Sequence, residues 1–185
     1  SPDGTKGTHA VAQAGGGGLA VSAVGALADA ETSADVQTFV GIGADILAVR
    51  DVDVISLVQE KAEAETAALS GGIVSVGATF AFADTKSDVQ TQVDTAIIDA
   101  EDVTVKSDVR SDAEATATAV AGGFVSGTVN LGEVRIDPTI STRLSGTITA
   151  DETVTVQSYA ETDADAFSLG VEVTGVGGRY QYAAA

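Results

Sequence analysis

Three carboxylates recur at one spacing: Glu63, Glu114 and Asp165 are each 51 residues apart. Clustered carboxylates bind hard cations through oxygen, so calcium is the cofactor that this column suggests. Paired carboxylates also serve glycoside hydrolysis. Here the pattern recurs in every copy and nothing singles out one pair, so no catalytic residue is assigned and no enzyme activity is expected. Like charges facing one another repel. The same spacing aligns Lys61 with Asp112 and Asp163, and Arg50 with Glu101 and Glu152. Mixed columns of this kind favour a solvated, salt-screened face. No calcium-binding nonapeptide series and no EF-hand loop is present.

Other candidate chemistry falls away in turn. His9 is the only histidine, so any Ser-His-Asp arrangement would need it, and it lies in a Gly-rich N-terminal segment. Gly15 to Gly18 lack the Gly-Lys-Ser/Thr of a phosphate loop. Gly41-Ile42-Gly43 lacks the third glycine of a dinucleotide fingerprint. Tyr159, Tyr180 and Tyr182 are candidates for stacking on a sugar, with host or surface glycans as the partner that this implies. Tyr180 and Tyr182 also suit a sealed edge or a subunit contact.

The carboxylate column belongs to a longer pattern. Val52, Val103 and Val154 share the 51-residue spacing, as do Val54, Val105 and Val156, then Ser56, Ser107 and Ser158. Alanine columns follow at Ala62, Ala113, Ala164 and Ala64, Ala115, Ala166. Each copy holds an alanine-alternating run, a Gly-Gly followed by an apolar run, an Asp-x-x-Thr segment, and a Val-x-Val segment. The third element is Asp35 to Thr38, Asp88 to Thr91 and, more loosely, Asp137 to Ile140. Apolar residues at i, i+2 and i+4 with Val and Thr enriched read as strand. The alanine runs also read as strand, although Ala and Glu favour helix, because they alternate with period 2 and end in Gly-Gly.

Repeats that cannot bury an apolar face alone do so by stacking on copies of themselves. The expected fold is all-β: a β-solenoid-like stack of about three 51-residue repeats, with a β-sandwich as the alternative. The expected organisation is a flexible segment at 1–9, one array at 10–182 (repeats 10–61, 62–112, 113–162 and a half repeat 163–182), and a tail at 183–185. Stacked at about 4.8 Å, the two valine columns become buried ladders, each valine contributing roughly 1.5 kcal/mol or more. The column Asp53, Thr104, Thr155 then faces water, and a one-residue slip would exchange the two faces.

Composition bounds the partners. The chain has 27 acidic against 9 basic residues, a net charge of −18, so nucleic acid and anionic membranes are disfavoured. It has no Cys, Met or Trp, and Asn130 is its only asparagine. That excludes a disulfide scaffold or thiolate metal site and suits a durable protein outside the cell or on its surface. Residues 10–28 carry no charge, but Gly15 to Gly18 would weaken a membrane or leader helix there. Because the chain starts at Ser1, the expectation is an export signal already removed.

Neither end of the array shows a capping element of the kind that keeps solenoids soluble. The expected partner is therefore a second copy, joined end to end into a homopolymer. Leu19, Val21, Val171, Val173, Tyr180 and Tyr182 are the candidate interface residues. The order of segments in Ala113 to Gly127, Asp88 to Thr91 and Ala100 to Ser107 resembles the repeats of large filamentous, leukotoxin-like bacterial surface adhesins. That resemblance implies a secreted β-solenoid stalk and transfers no catalytic or binding residue. Those proteins are often far longer, and a short unit with open ends would rebuild such length by polymerising. The sequence thus points to a structural filament subunit, with an adhesin stalk or ligand-binding fragment as the alternative.

Overall fold

Strict alternation of small or β-branched residues with polar ones commits the chain to extended structure with one face buried. A computed structural model describes residues 5–185 and contains no helix. Its strands are β1 (Thr5–Gly17), β2 (Val21–Val40), β3 (Asp45–Leu47), β4 (Val52–Gly71) and β5 (Val74–Ala184). β5 is one continuous extended stretch of 111 residues that winds through successive coils. All pairing between strands is parallel, in the order β1-β4-β5-β2, with β3 also on β5. This is the β-solenoid-like stack and not the β-sandwich, whose paired strands would run antiparallel.

The register shows how repeats become layers. Val52 lies opposite Val103, and the pairing runs without a break to Gly71 opposite Gly122, a constant 51 positions. Nearer the N-terminus the offset grows. It is 52 for β3 (Asp45 opposite Ile97), 53 for β2 (Val21 opposite Val74) and 54 for β1 (Thr5 opposite Gln59). The additional residues fall in the three breaks between strands, at 18–20, 41–44 and 48–51. Corners absorb an extra residue, whereas a wall would have to turn its buried face outward.

Each coil has two long walls and a short side. Wall A comprises β1, β4 and the corresponding parts of β5 at 103–122 and 154–173. Wall B comprises β2 and the β5 parts at 74–93, 125–144 and 176–184. The short side holds β3, paired with Ile97 to Asp99. Coils 1 to 4 are residues 5–51, 52–102, 103–153 and 154–184. At one end of the interior, alanines of both walls meet: Ala62, Ala64, Ala113 and Ala115 against Ala28, Ala30, Ala81 and Ala83. At the other end, where the short side widens the coil, larger residues fill the space: Val54, Val93, Ile98, Val103 and Val105. Val58, Val89 and Val109 lie between. The taper accounts for a core with few aromatics.

The Gly-Gly pairs sit at the corner from wall A to wall B. A Cβ on Gly72 would lie 2.8 Å from the Gly18 carbonyl oxygen of the coil above, so the corner backbones can stack only where the side chain is absent. Strand begins at Thr5, within the segment expected to be flexible, and runs to Ala184 in the expected tail. Residues 1–4 lie outside the described residues.

Ile98 is completely buried at the wide end of the core. Ile98→Ala should lower the unfolding free energy by about 2–5 kcal/mol, read as a reduced urea midpoint. A change below about 1 kcal/mol would mean that the wide end is not packed as described.

Candidate functional site

The most regular feature is a set of axial columns running through all coils, and the coil at which they stop being covered. Val103 and Val105, opposite Val52 and Val54, are fully buried. One coil further on, Val154 and Val156 are each 49 % exposed. The fourth layer is in register, because the Asp102 Oδ1 accepts a hydrogen bond from the Thr153 backbone N–H at 2.9 Å. What differs is cover. Wall A of coil 4 is present, but the part of wall B that would face its valines is not. The two ladders are therefore aligned as expected but shielded only as far as coil 3.

A second column consists of hydroxyls. Ser56 donates to Thr38 at 2.8 Å, and Thr91 donates to Ser56 at 2.7 Å. Thr91 and Ser107 are 2.7 Å apart, Ser107 and Thr142 are 2.7 Å apart, and Ser158 donates to Thr142 at 2.8 Å. The row zigzags between the walls from coil 1 to coil 4. A hydroxyl has one proton to give. Since Thr91 gives its proton to Ser56, Ser107 must donate to Thr91, and Thr142 to Ser107. Every bond then points toward the N-terminal coil, and such aligned rows polarise one another cooperatively.

The sequence marks this row incompletely. The serine column is visible as a repeat, and Thr38 and Thr91 are the last residues of the Asp-x-x-Thr segments. The loose third copy, Asp137 to Ile140, is misaligned. The hydroxyl that faces Ser107 belongs to Thr142, because a position in this column must point inward opposite a serine. Glu60 is also absent from the sequence reading. It is an inward carboxylate, buried, accepting a hydrogen bond from Ser87 at 2.6 Å. Alternation identifies it as inward, but its charge argues for the surface. Thr79 donating to the Asn130 side chain at 2.7 Å gives the sole asparagine a structural role.

On the outer surface of wall A the acidic column is neutralised from its sides. Glu63 lies 3.4 Å from His9 and 3.9 Å from Lys61, and Lys61 reaches Asp112 at 3.6 Å. Arg110 reaches Glu161 of the next coil at 3.7 Å. Among the described residues no three His, Asp or Glu side chains converge as a metal site requires. Glu63, Glu114 and Asp165 occupy successive layers of one strand face, so the arrangement is a row and not a cage.

Leu19, Val21, Val171, Val173, Tyr180 and Tyr182 are all exposed. Leu19 projects from the corner between β1 and β2, 98 % exposed, and Val171 and Val173 lie near the corresponding corner of coil 4. Tyr180 and Tyr182 are on the outer face of wall B, separate from Tyr159 on wall A. The six share one corner of the coil and the adjoining part of wall B. Among the described residues no helix is long and apolar enough to cross a membrane. No protein-family model, curated protein or solved structure matches the chain.

Ser107 is buried and central in the hydroxyl row, with a partner on each side. Ser107→Ala should cost about 1–3 kcal/mol in urea unfolding, and Ser158→Ala, at the exposed end, less than about 1 kcal/mol. Equal costs would remove the argument for a continuous row. On the surface, Glu114→Lys should raise stability by about 0.5 kcal/mol at low ionic strength and by less in 1 M salt, measured by thermal melts at both concentrations.

Proposed function

We propose that this chain is a structural subunit of an extracellular filament, in which coil 4 of one copy is continued by coil 1 of the next. The observation that carries this reading is the uncovered fourth layer, where Val154 and Val156 lie in columns that are fully buried one coil earlier. Continuing the register puts β1 of the incoming copy on residues 161–173 and the start of its β2 on 176–184. It also brings Val40 beneath the open valines. The counterpart of Val40 one coil on, Val93, packs with Val54 and Val105.

The hydroxyl row supports the same polarity. Thr38 accepts from Ser56, so its own proton is available to a further acceptor, while Ser158 retains lone pairs for a further donor. A donor end and an acceptor end suit a head-to-tail joint, which is the kind that does not close on itself. Exposed parallel strand edges at both faces of the stack supply the backbone bonds of the joint. The durable composition supports an extracellular setting, and glycans fit as partners only through exposed tyrosines.

The second reading is the stalk of a surface adhesin. It is favoured by the 51-residue register itself, which further coils of one polypeptide would continue equally well. Negative-stain microscopy of the purified chain separates the two. The filament reading expects fibres with a repeat of about 4.8 Å along their axis in fibre diffraction, and expects Val154→Asp with Val156→Asp to abolish them while strand content is kept. Monodisperse particles of one chain across a broad range of salt and calcium would reject it.

A further inference from the structure

The first part of wall B is uncharged in every coil. Residues 21–28, 74–83 and 125–132 contain no Asp, Glu, Lys, Arg or His. In coil 4 the corresponding stretch, 176–184, contains Arg179. Its guanidinium donates to the Gly170 carbonyl at 3.5 Å, on wall A, and so turns away from the outer surface. The structure stacks these four stretches, with Val21 opposite Val74 and Leu27 opposite Phe80. The 51-residue spacing continues through coil 3, where Asn130 bonds Thr79.

The outward side chains of this area are apolar. Leu27, Phe80, Leu131 and Tyr182 form one column. Val21, Val74, Val125 and Val176 form another at its edge, all of them exposed. Between the two columns lie Ala78, Val129 and Tyr180. The face measures about 30 Å along the strands and about 19 Å across four coils. That is roughly 600 Å² per copy and about 1,200 Å² for two copies, the lower bound of stable interfaces. It also equals the largest apolar patches that monomers usually expose.

Charge decides the occupant. The chain carries −18, and its acids lie on wall A (Glu63, Glu65, Asp112, Glu114) and on the far half of wall B (Asp29, Asp35, Asp84, Asp88). Two copies approaching by any of those surfaces oppose like charges. Only the neutral part of wall B lets one copy meet another with no carboxylate buried. Its layers also share one spacing, so ridges of one copy fit grooves of the other in sheet-on-sheet packing. We propose that two copies pair side by side, each laying this neutral face on that of the other around a two-fold axis. The pairing is independent of end-to-end growth.

The absence of cysteine makes the test direct. Ala78→Cys and Val129→Cys flank the centre of the face, and Glu65→Cys on the outer surface of wall A is the control. A disulfide requires Cα atoms within about 7 Å. End-to-end growth leaves equivalent residues about 19 Å apart, so it does not produce the cross-link. The full chain should show disulfide-linked dimers at least about tenfold faster in one central variant than in the control. Light scattering under reducing conditions should show a twofold mass, or paired filaments, that Phe80→Asp reduces to single units with unchanged circular dichroism. The proposal is overturned if neither central variant outpaces the control. It is equally overturned if Phe80→Asp leaves the association state as it was, or if the chain is unpaired and the face holds a glycan or lipid surface instead.

Discussion

The parallel register between successive coils is the constraint on which everything else depends. In a parallel stack the backbone N–H and C=O groups of one layer are satisfied by the layers on either side. The side chains of equivalent positions are thereby forced into columns. Whatever is favourable when set beside itself is multiplied along the axis, and so is whatever is unfavourable. Valine on valine, alanine on alanine and hydroxyl on hydroxyl profit from this. Carboxylate on carboxylate does not, and Lys61, His9 and Arg110 lie where they offset it.

The same constraint explains where the chain tolerates irregularity. The walls allow no insertion, because one extra residue would reverse inside and outside over the rest of the strand. The offset grows from 51 to 54 only by additions at the corners of coil 1. The interior is thin and short of large side chains, so it is completed by hydrogen-bonded Thr, Ser and Asn. These are polar groups that cost little when paired and much when orphaned. Their shared direction gives the stack an electrical sense as well as a geometric one.

The surface is divided by the same columns. Charged positions collect on one wall and on the far part of the other, and apolar outward positions collect around one corner. An acidic chain keeps copies apart wherever its carboxylates dominate. Contact is then confined to the neutral face and to the uncovered layers at the ends. Axial and lateral contacts therefore use different residues and different physics: backbone pairing in one case, side-chain burial in the other.

The repeat spacing, the strand assignment, the all-β class and the identity of the valine and alanine columns were legible in the chain alone. A period-2 pattern repeated at 51 residues allows few other arrangements. Pairs such as Lys61 with Asp112 followed from the same spacing. Residues that meet across the interior did not follow, since Ser107 and Thr142 face each other through wall-to-wall packing and not through the period. This is why the third Asp-x-x-Thr copy was misplaced, and why Glu60 gave no inward signal. Nor could spacing show that Val154 and Val156 lack cover, or that three uncharged stretches adjoin on one face. Periodicity fixes which residues share a column. Only the folding of two walls onto one another decides what each column faces, because that depends on where the corners fall.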